Sequence, residues 1–450
     1  MSQMKQAEDI NGILKAFNSE PLKKEDLPDF YYPDTMENRM GDEWLSPIKR
    51  IFQACMAQSN RNAHLFLGHK GCGKSTELVA LKKDFEEVGH SVHLVYSEME
   101  RDLRKITNWD MMLLITEGLC KIAYKREIAL PHEPLEAIYG ILKRDMQVTE
   151  ITSSSASIDV TAGANASTPA LLSGLVKLFV SLNSTLKAST NRQETVTVIM
   201  NKKSSDWLMY TKEIAAYITD GCSGKQPIII IEDLDKLPDP TLVFNLLGDP
   251  ALSQMPFPVI YTFPISQCYA SQYAAIRASY AQHTLPMIKL RNLDKSRNDM
   301  GFSVIRNIVA KRAKLELFDD IDETGDVLDL LIKKTGGVLR HLFECIVTAA
   351  YRASWRGETT IAREDAERAL DEQRKELTRL ITKSMNPDLK GIHNNPLDRE
   401  QINNSKDLLS MMHSLVVLEY ENGERWHNLH PLIADFLVRL GEIEDYDKQT

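Results

Sequence analysis

The chain has 450 residues, with 54 Lys and Arg against 63 Asp and Glu, a formal net charge of −9, 43% hydrophobic and 26% charged residues. At about 100–200 residues per domain this length predicts two to four domains, and the composition excludes general disorder, a collagen-like repeat and a disulfide scaffold. An acidic balance also argues against a grip on nucleic acid by the whole surface, so any such contact needs a local basic face. Six scattered cysteines form no CxxC or Cys/His cluster of zinc-like spacing, which fits a reducing compartment. No leader-like start and no run near the roughly 18 apolar residues of a membrane span are apparent, so a cytoplasmic location without membrane contact is expected.

Residues 1–45, with Pro21, Pro28, Pro33, Tyr31 and Tyr32, read as a short helix and an extended lead-in. Between 46 and 290 short apolar runs at His64–Leu67, His93–Tyr96, Pro227–Ile231, Val259–Thr262 and Leu285–Leu290 alternate with helical patterns. Continuous apolar strands between helices predict an α/β fold, a parallel sheet with helices on both faces. A stretch rich in small polar residues, about 150–169, reads as an insertion, either a loop or a small hairpin, ahead of a helix at Ala170–Leu186. From 291 to 385 only helical patterns remain, at 298–315, 324–334, 338–355 and 362–382, predicting an all-helical lid. Asn386-Pro387 and Asn394-Asn395-Pro396 mark a linker. Residues 396–450 then give two helical patterns, a hairpin around Asn422-Gly423 and a last helix at Pro431–Leu440, the outline of a C-terminal winged-helix domain.

The segment His64–Leu78 contains Gly68-His69-Lys70-Gly71-Cys72-Gly73-Lys74-Ser75-Thr76, a full GxxxxGK[ST] pattern between a strand and an amphipathic helix. Gly68, Gly71 and Gly73 let backbone N–H groups, including those of Cys72 and Thr76, turn onto phosphate oxygens, with the helix N-terminus adding a favourable dipole. Lys74 is predicted on the β- and γ-phosphates and Ser75 on Mg²⁺. A second motif, Pro227-Ile-Ile-Ile-Ile-Glu232-Asp233-Leu234-Asp235-Lys236, sets three acids just after a strand suited to the sheet centre. In register, Glu232 is the metal-shell acid and Asp233 the residue that orients or activates water.

These two motifs, with PVIYTFPIS and TGGVLRHL, resemble the AAA+ and STAND branches of the P-loop NTPases, near the NACHT, KAP and origin-recognition ATPases, over about residues 65–355. The resemblance implies ATP and Mg²⁺ as cofactors, Thr262 as a residue reading the γ-phosphate at the end of its strand, and Arg340 as an arginine delivered by the lid. The chain departs from the family pattern in showing Glu-Asp where Asp-Asp or Asp-Glu is usual, which predicts slow hydrolysis.

The tail holds five Lys and Arg against eleven Asp and Glu, a net charge of −6, with Glu419, Glu421 and Glu424 on the wing. Such a surface repels phosphates, so DNA is disfavoured and the module is expected to pack on the ATPase or on a partner. The expected function is a Mg²⁺-dependent ATP-binding and hydrolysing switch that self-associates or activates a protein effector or sensor partner, in bacterial antiphage defence by the family resemblance. The alternatives are a DNA-acting AAA+ ATPase and a nucleotide-binding scaffold with negligible turnover.

Overall fold

The structure, a computed structural model, describes residues 4–40, 46–57, 61–147, 168–188, 190–318, 326–398 and 407–444. Five strands, β1 (Ala63–Gly68), β2 (Val92–Tyr96), β3 (Ile228–Glu232), β4 (Val259–Pro264) and β5 (Ala281–Thr284), form one parallel sheet in the order β2-β3-β4-β1-β5. Successive side chains of a strand point to opposite faces, and here both faces are covered. Leu65, Leu67, Ile229, Ile231 and Val259 join a core with the helix Asn108–Lys125. Phe66, Ile228, Ile230 and Ile260 join another with the helices Pro47–Met56 and Lys74–Glu87. Unbroken apolar runs suit strands enclosed in this way, and the predicted parallel sheet with helices on both faces is what the chain forms.

Several sequence expectations need correction. The fifth strand is Ala281–Thr284, not Leu285–Leu290. It is an edge strand with polar Gln282, His283 and Thr284, so it carries no apolar run. The apolar run after it leaves the sheet beyond Leu285, whose N–H bonds Leu67 O, because Pro286 has no N–H and its carbonyl instead accepts from Arg39. The expected linker near Asn386 holds a helix, Asn386–Asn394, with proline in its first turn, where the missing N–H costs nothing. One helix, Thr168–Ala188, is long and apolar enough to cross a membrane by length and composition, and 56% of its most apolar 18-residue window is buried inside the fold. Nearly all of the small-polar insertion at about 150–169, and the first helical pattern of the tail, lie outside the described residues.

Helical segments fill most of the connection between β2 and β3, Asn108–Lys125, His132–Gly140, Thr168–Ala188 and Thr190–Gly221 among them. They are tied to the end of β2 by a buried ion pair, Arg101 to Asp110 at 2.8 Å, and by Asn183, which accepts from Arg101 and donates to Glu100 and Glu117. The helices Asp299–Arg312, Val327–Thr335, Leu339–Arg356 and Arg363–Thr378 share one core. Ile10, Ile13 and Phe17 of the N-terminal helix Ile10–Ala16 and its cap belong to that core, with Phe17 edge-on to Phe343 at 5.3 Å.

The C-terminal residues form a helix Leu408–His413, an antiparallel hairpin of β6 (Val417–Asn422) and β7 (Glu424–Leu429), and a helix Pro431–Arg439. Leu415, Leu418, Tyr420 and Trp426 share a core with Phe66 and Leu78 of the sheet side, while Leu432 and Ile433 share one with the helical region. The module packs on the rest of the chain, burying Leu408, Met411, Leu415 and Trp426.

Candidate functional site

β1 ends at Gly68, and the loop to the helix Lys74–Glu87 turns through Gly71 (φ +73°) and Gly73 (φ +105°). Both are in the left-handed region open to glycine at no steric cost. A Cβ on Gly71 would lie 2.7 Å from Arg340 Cβ, so the missing side chain is also what lets the lid helix approach. Loop and helix N-terminus face a narrow cleft of about 130 Å³, smaller than the usual small-molecule site. Gly71, Gly73, Lys74, Ser75 and Thr76 line it, with Arg340 opposite.

Lys74 is 4% exposed and its ammonium has three neighbours: Asp235 Oδ2 at 2.8 Å, His69 O at 2.7 Å and Gly68 O at 3.1 Å. Burial alone would pull its pKa down, but Asp235 outweighs that and holds it above the ordinary lysine value. Burial likewise pulls the Asp235 carboxyl up, and Lys74 reverses the shift.

Glu232, at the end of β3, is 1% exposed and is not among the residues that line the cleft. Neither of its carboxylate oxygens makes a well-formed hydrogen bond among the described residues. Burial, then Asp235 and Asp233, push its pKa up to about 7, with Ser75 and Lys74 opposing. A buried carboxylate left without donors beside a serine hydroxyl is an oxygen set suited to a hard divalent cation, and Mg²⁺ is commonly held by one or two protein oxygens plus phosphates and water. The residues present therefore fit Mg²⁺.

Asp233 adopts φ +74°, rare for a residue with a Cβ and a form of backbone strain that recurs at functional sites. The strained turn points its carboxylate away from Glu232: Oδ1 lies 2.7 Å from Lys236 Nζ, and Oδ2 accepts the Glu98 N–H at 3.3 Å. Burial raises its pKa against the pull of Lys236. Thr262 is not at the end of its strand as expected; β4 runs on to Pro264, and the buried Thr262 hydroxyl accepts the Leu234 N–H at 3.0 Å. It shapes the loop that carries the acids. Cys72 is buried, and its carbonyl accepts from Arg39 at 2.8 Å.

Arg340 opens the lid helix Leu339–Arg356, and its backbone N–H bonds Gly71 O at 3.3 Å. The helix begins here because Gly336 and Gly337, both at positive φ, end the preceding helix, Gly336 passing close to Pro431 and Gly337 to Ile288.

Sequence reasoning missed three contributors. Asp235 was visible only as the third acid of its motif. Arg39, 1% exposed in the lead-in, bridges Pro286 O and Cys72 O across 247 and 33 residues. Tyr31 lines the cleft and donates to Glu77 Oε2 at 2.8 Å. The Tyr31-Tyr32 pair between prolines was the available signal for this wall. The C-terminal module also reaches the loop: His69 Nε2 accepts the Glu419 N–H of β6 at 2.8 Å, and Lys70 Nζ lies 2.8 Å from Nε2 of His413 in the helix Leu408–His413. Glu419 is turned inward, accepting from Tyr269 at 2.6 Å with His427 at 3.6 Å, so the wing is less acidic on its surface than the sequence count implies.

No known family model matches the chain, and no characterised protein matches it in sequence. Among solved structures it is similar to the Walker-type ATPase PABY2304 of Pyrococcus abyssi, at 14% identity over 94% of this chain and 99% of that one, TM-score 0.39. It is similar also to the Aeropyrum pernix ORC1 protein in complex with DNA, at 13% over 93% and 98%, TM-score 0.35. A third is Drosophila ORC bound to DNA, at 10% over 98% and 93%, TM-score 0.38. At such values the likeness is one of outline, and the chemistry of the site rests on the chain's own residues.

Proposed function

We propose that the chain is a Mg²⁺-dependent, ATP-binding NTPase of the AAA+ type, acting as a switch whose nucleotide state is read by the lid and the C-terminal module. The observation that carries this reading is the convergence of three distant parts of the chain on one short loop. Arg39 holds Cys72 O, Arg340 N–H meets Gly71 O, and the C-terminal module meets His69 and Lys70. A loop that reshapes around phosphates under those contacts passes the change to all three.

When bound, Mg²⁺ would offset phosphate charge. Ser75 and Glu232 are the residues to hold it. Lys74 and Arg340 supply positive charge from opposite walls, and Asp233 is the acid to orient water once it leaves Lys236, a required rearrangement that fits slow turnover. The chain lacks an Asn-Lys-x-Asp guanine motif, which supports ATP over GTP.

The output is a change in self-association or in the grip on a protein partner, because the C-terminal module is committed to the P-loop through His69 and Lys70. A DNA-acting output is the second reading, and the inward turn of Glu419 favours it by removing one acid from the wing surface. Mass photometry with and without ATP and duplex DNA separates the two. ATP-dependent assembly without DNA supports the switch; assembly only on DNA, weakening steeply with salt, replaces it with the DNA-acting reading.

A further inference from the structure

The ammonium of Lys74 has three N–H donors and three acceptors around it, two loop carbonyls and one carboxylate. A phosphate reaching Lys74 therefore has to replace a partner. The carbonyls of Gly68 and His69 are parts of the loop itself, whereas Asp235 is an anion from another strand end. Its second oxygen, Oδ1, is buried and has no hydrogen-bond partner among the described residues, so Lys74 is the group that holds the carboxylate in place. Asp235 also lines the cleft, together with Gly71, Gly73 and Ser75.

We propose that Asp235 is an internal stand-in for phosphate: its carboxylate occupies the anion seat on Lys74, and nucleotide binds by displacing it. The proposal rests on the nucleotide-binding reading above and adds to it a residue that works against binding. A buried ammonium without a counter-charge is costly, so the pair keeps the loop intact. The same pair makes each incoming phosphate compete with a carboxylate already in place. Near Glu232 and Asp233 the displaced carboxylate adds negative charge, so the competition is felt most by nucleotide without its cation.

The test is isothermal titration of ADP in the presence of EDTA, and of inorganic pyrophosphate, into the full chain and into Asp235→Asn, Asp235→Glu and Lys74→Ala. Asp235→Asn keeps shape and removes the competing charge, so ADP and pyrophosphate are expected to bind about tenfold more tightly. Its thermal stability falls without ligand and recovers with pyrophosphate. Asp235→Glu keeps the charge and stays near wild-type affinity. Should Asp235→Asn fail to fold, Asp235→Ser, which leaves room for a water on Lys74, gives the same comparison. A residue that merely positions Lys74 would behave oppositely: unchanged or weaker ADP binding by Asp235→Asn overturns the proposal. If Lys74→Ala still abolishes binding in that case, the nucleotide-binding reading stands without it. If neither wild type nor any variant binds ADP, pyrophosphate or Mg·ATP, both fall.

Discussion

The two walls of the cleft are built in different ways. The sheet wall comes from two short stretches, the strand–helix turn Gly71–Thr76 and the Asp235–Lys236 turn after β3. The opposite wall gathers Tyr31, Arg39, Arg312 and Arg340 from segments that meet only in the folded chain. The first wall takes its shape from local backbone, glycines at positive φ and a helix N-terminus. The second depends on tertiary packing, on Arg39 crossing to Pro286 and on the lid helix lying against a glycine. The difference predicts that the sheet wall governs whether nucleotide binds and that the other wall governs how the chain responds to it.

The largest expected effect breaks the sheet wall. Lys74→Ala removes the charge facing the phosphates and should weaken ATP binding by more than about a hundredfold while circular dichroism stays native; unchanged affinity by calorimetry would refute the assignment. Next, Asp233→Asn should bind Mg·ATP normally and lose about a hundredfold in hydrolysis, and equal turnover would mean that another group orients water. The third acts on the other wall: Gly71→Ala sets a methyl where Arg340 Cβ lies 2.7 Å away and strains a φ of +73°. It should destabilise the chain by about 1–3 kcal/mol and weaken ATP binding several-fold by shifting the lid, measured by chemical denaturation and titration. An unaltered chain would show that the lid does not rest there.

The smallest effect concerns pH. Burial lowers the pKa of His69 to about 4, and its neutral Nε2 accepts the Glu419 N–H. Because the unfolded chain protonates this histidine first as pH falls, its contribution is fully present above about pH 6.5 and is lost progressively toward pH 4. His413, also lowered to about 4 by burial and by Lys70, acts in the same direction. His69→Gln keeps an acceptor and removes the titration, so its melting temperature should fall less steeply than wild type between pH 6.5 and 4. Identical slopes would remove His69 from the contact.

The same contrast explains what was legible in the sequence. Four of the five strands, the glycine-rich loop and the acid motif come from runs and spacings within about fifteen residues, and the structure forms those strands and sets the two motifs at the ends of β1 and β3. β5 was missed because an edge strand needs no apolar run. The N-terminal wall was missed because Arg39 and Tyr31 carry no motif; their role exists only through residues such as Pro286 and Glu77 brought to them by the fold. The charge argument on the tail failed in part because a count cannot tell that Glu419 points inward. Asp235 was readable as an acid but not as the partner of Lys74, a pairing between two chain segments.

The sheet order has a consequence for how such a site keeps time. β4 lies between β1 and β3, so the proposed phosphate loop and the strand that ends in Glu232 stand two strand spacings apart, about 9–10 Å. A hydrogen-bonded ladder does not stretch, and Thr262 pins the acid-bearing turn to β4 through Leu234 N–H. β4 is thus a fixed gauge across the floor of the cleft. Ligand size is measured against an unyielding baseline, and the difference between a diphosphate and a triphosphate has to appear as movement in the walls.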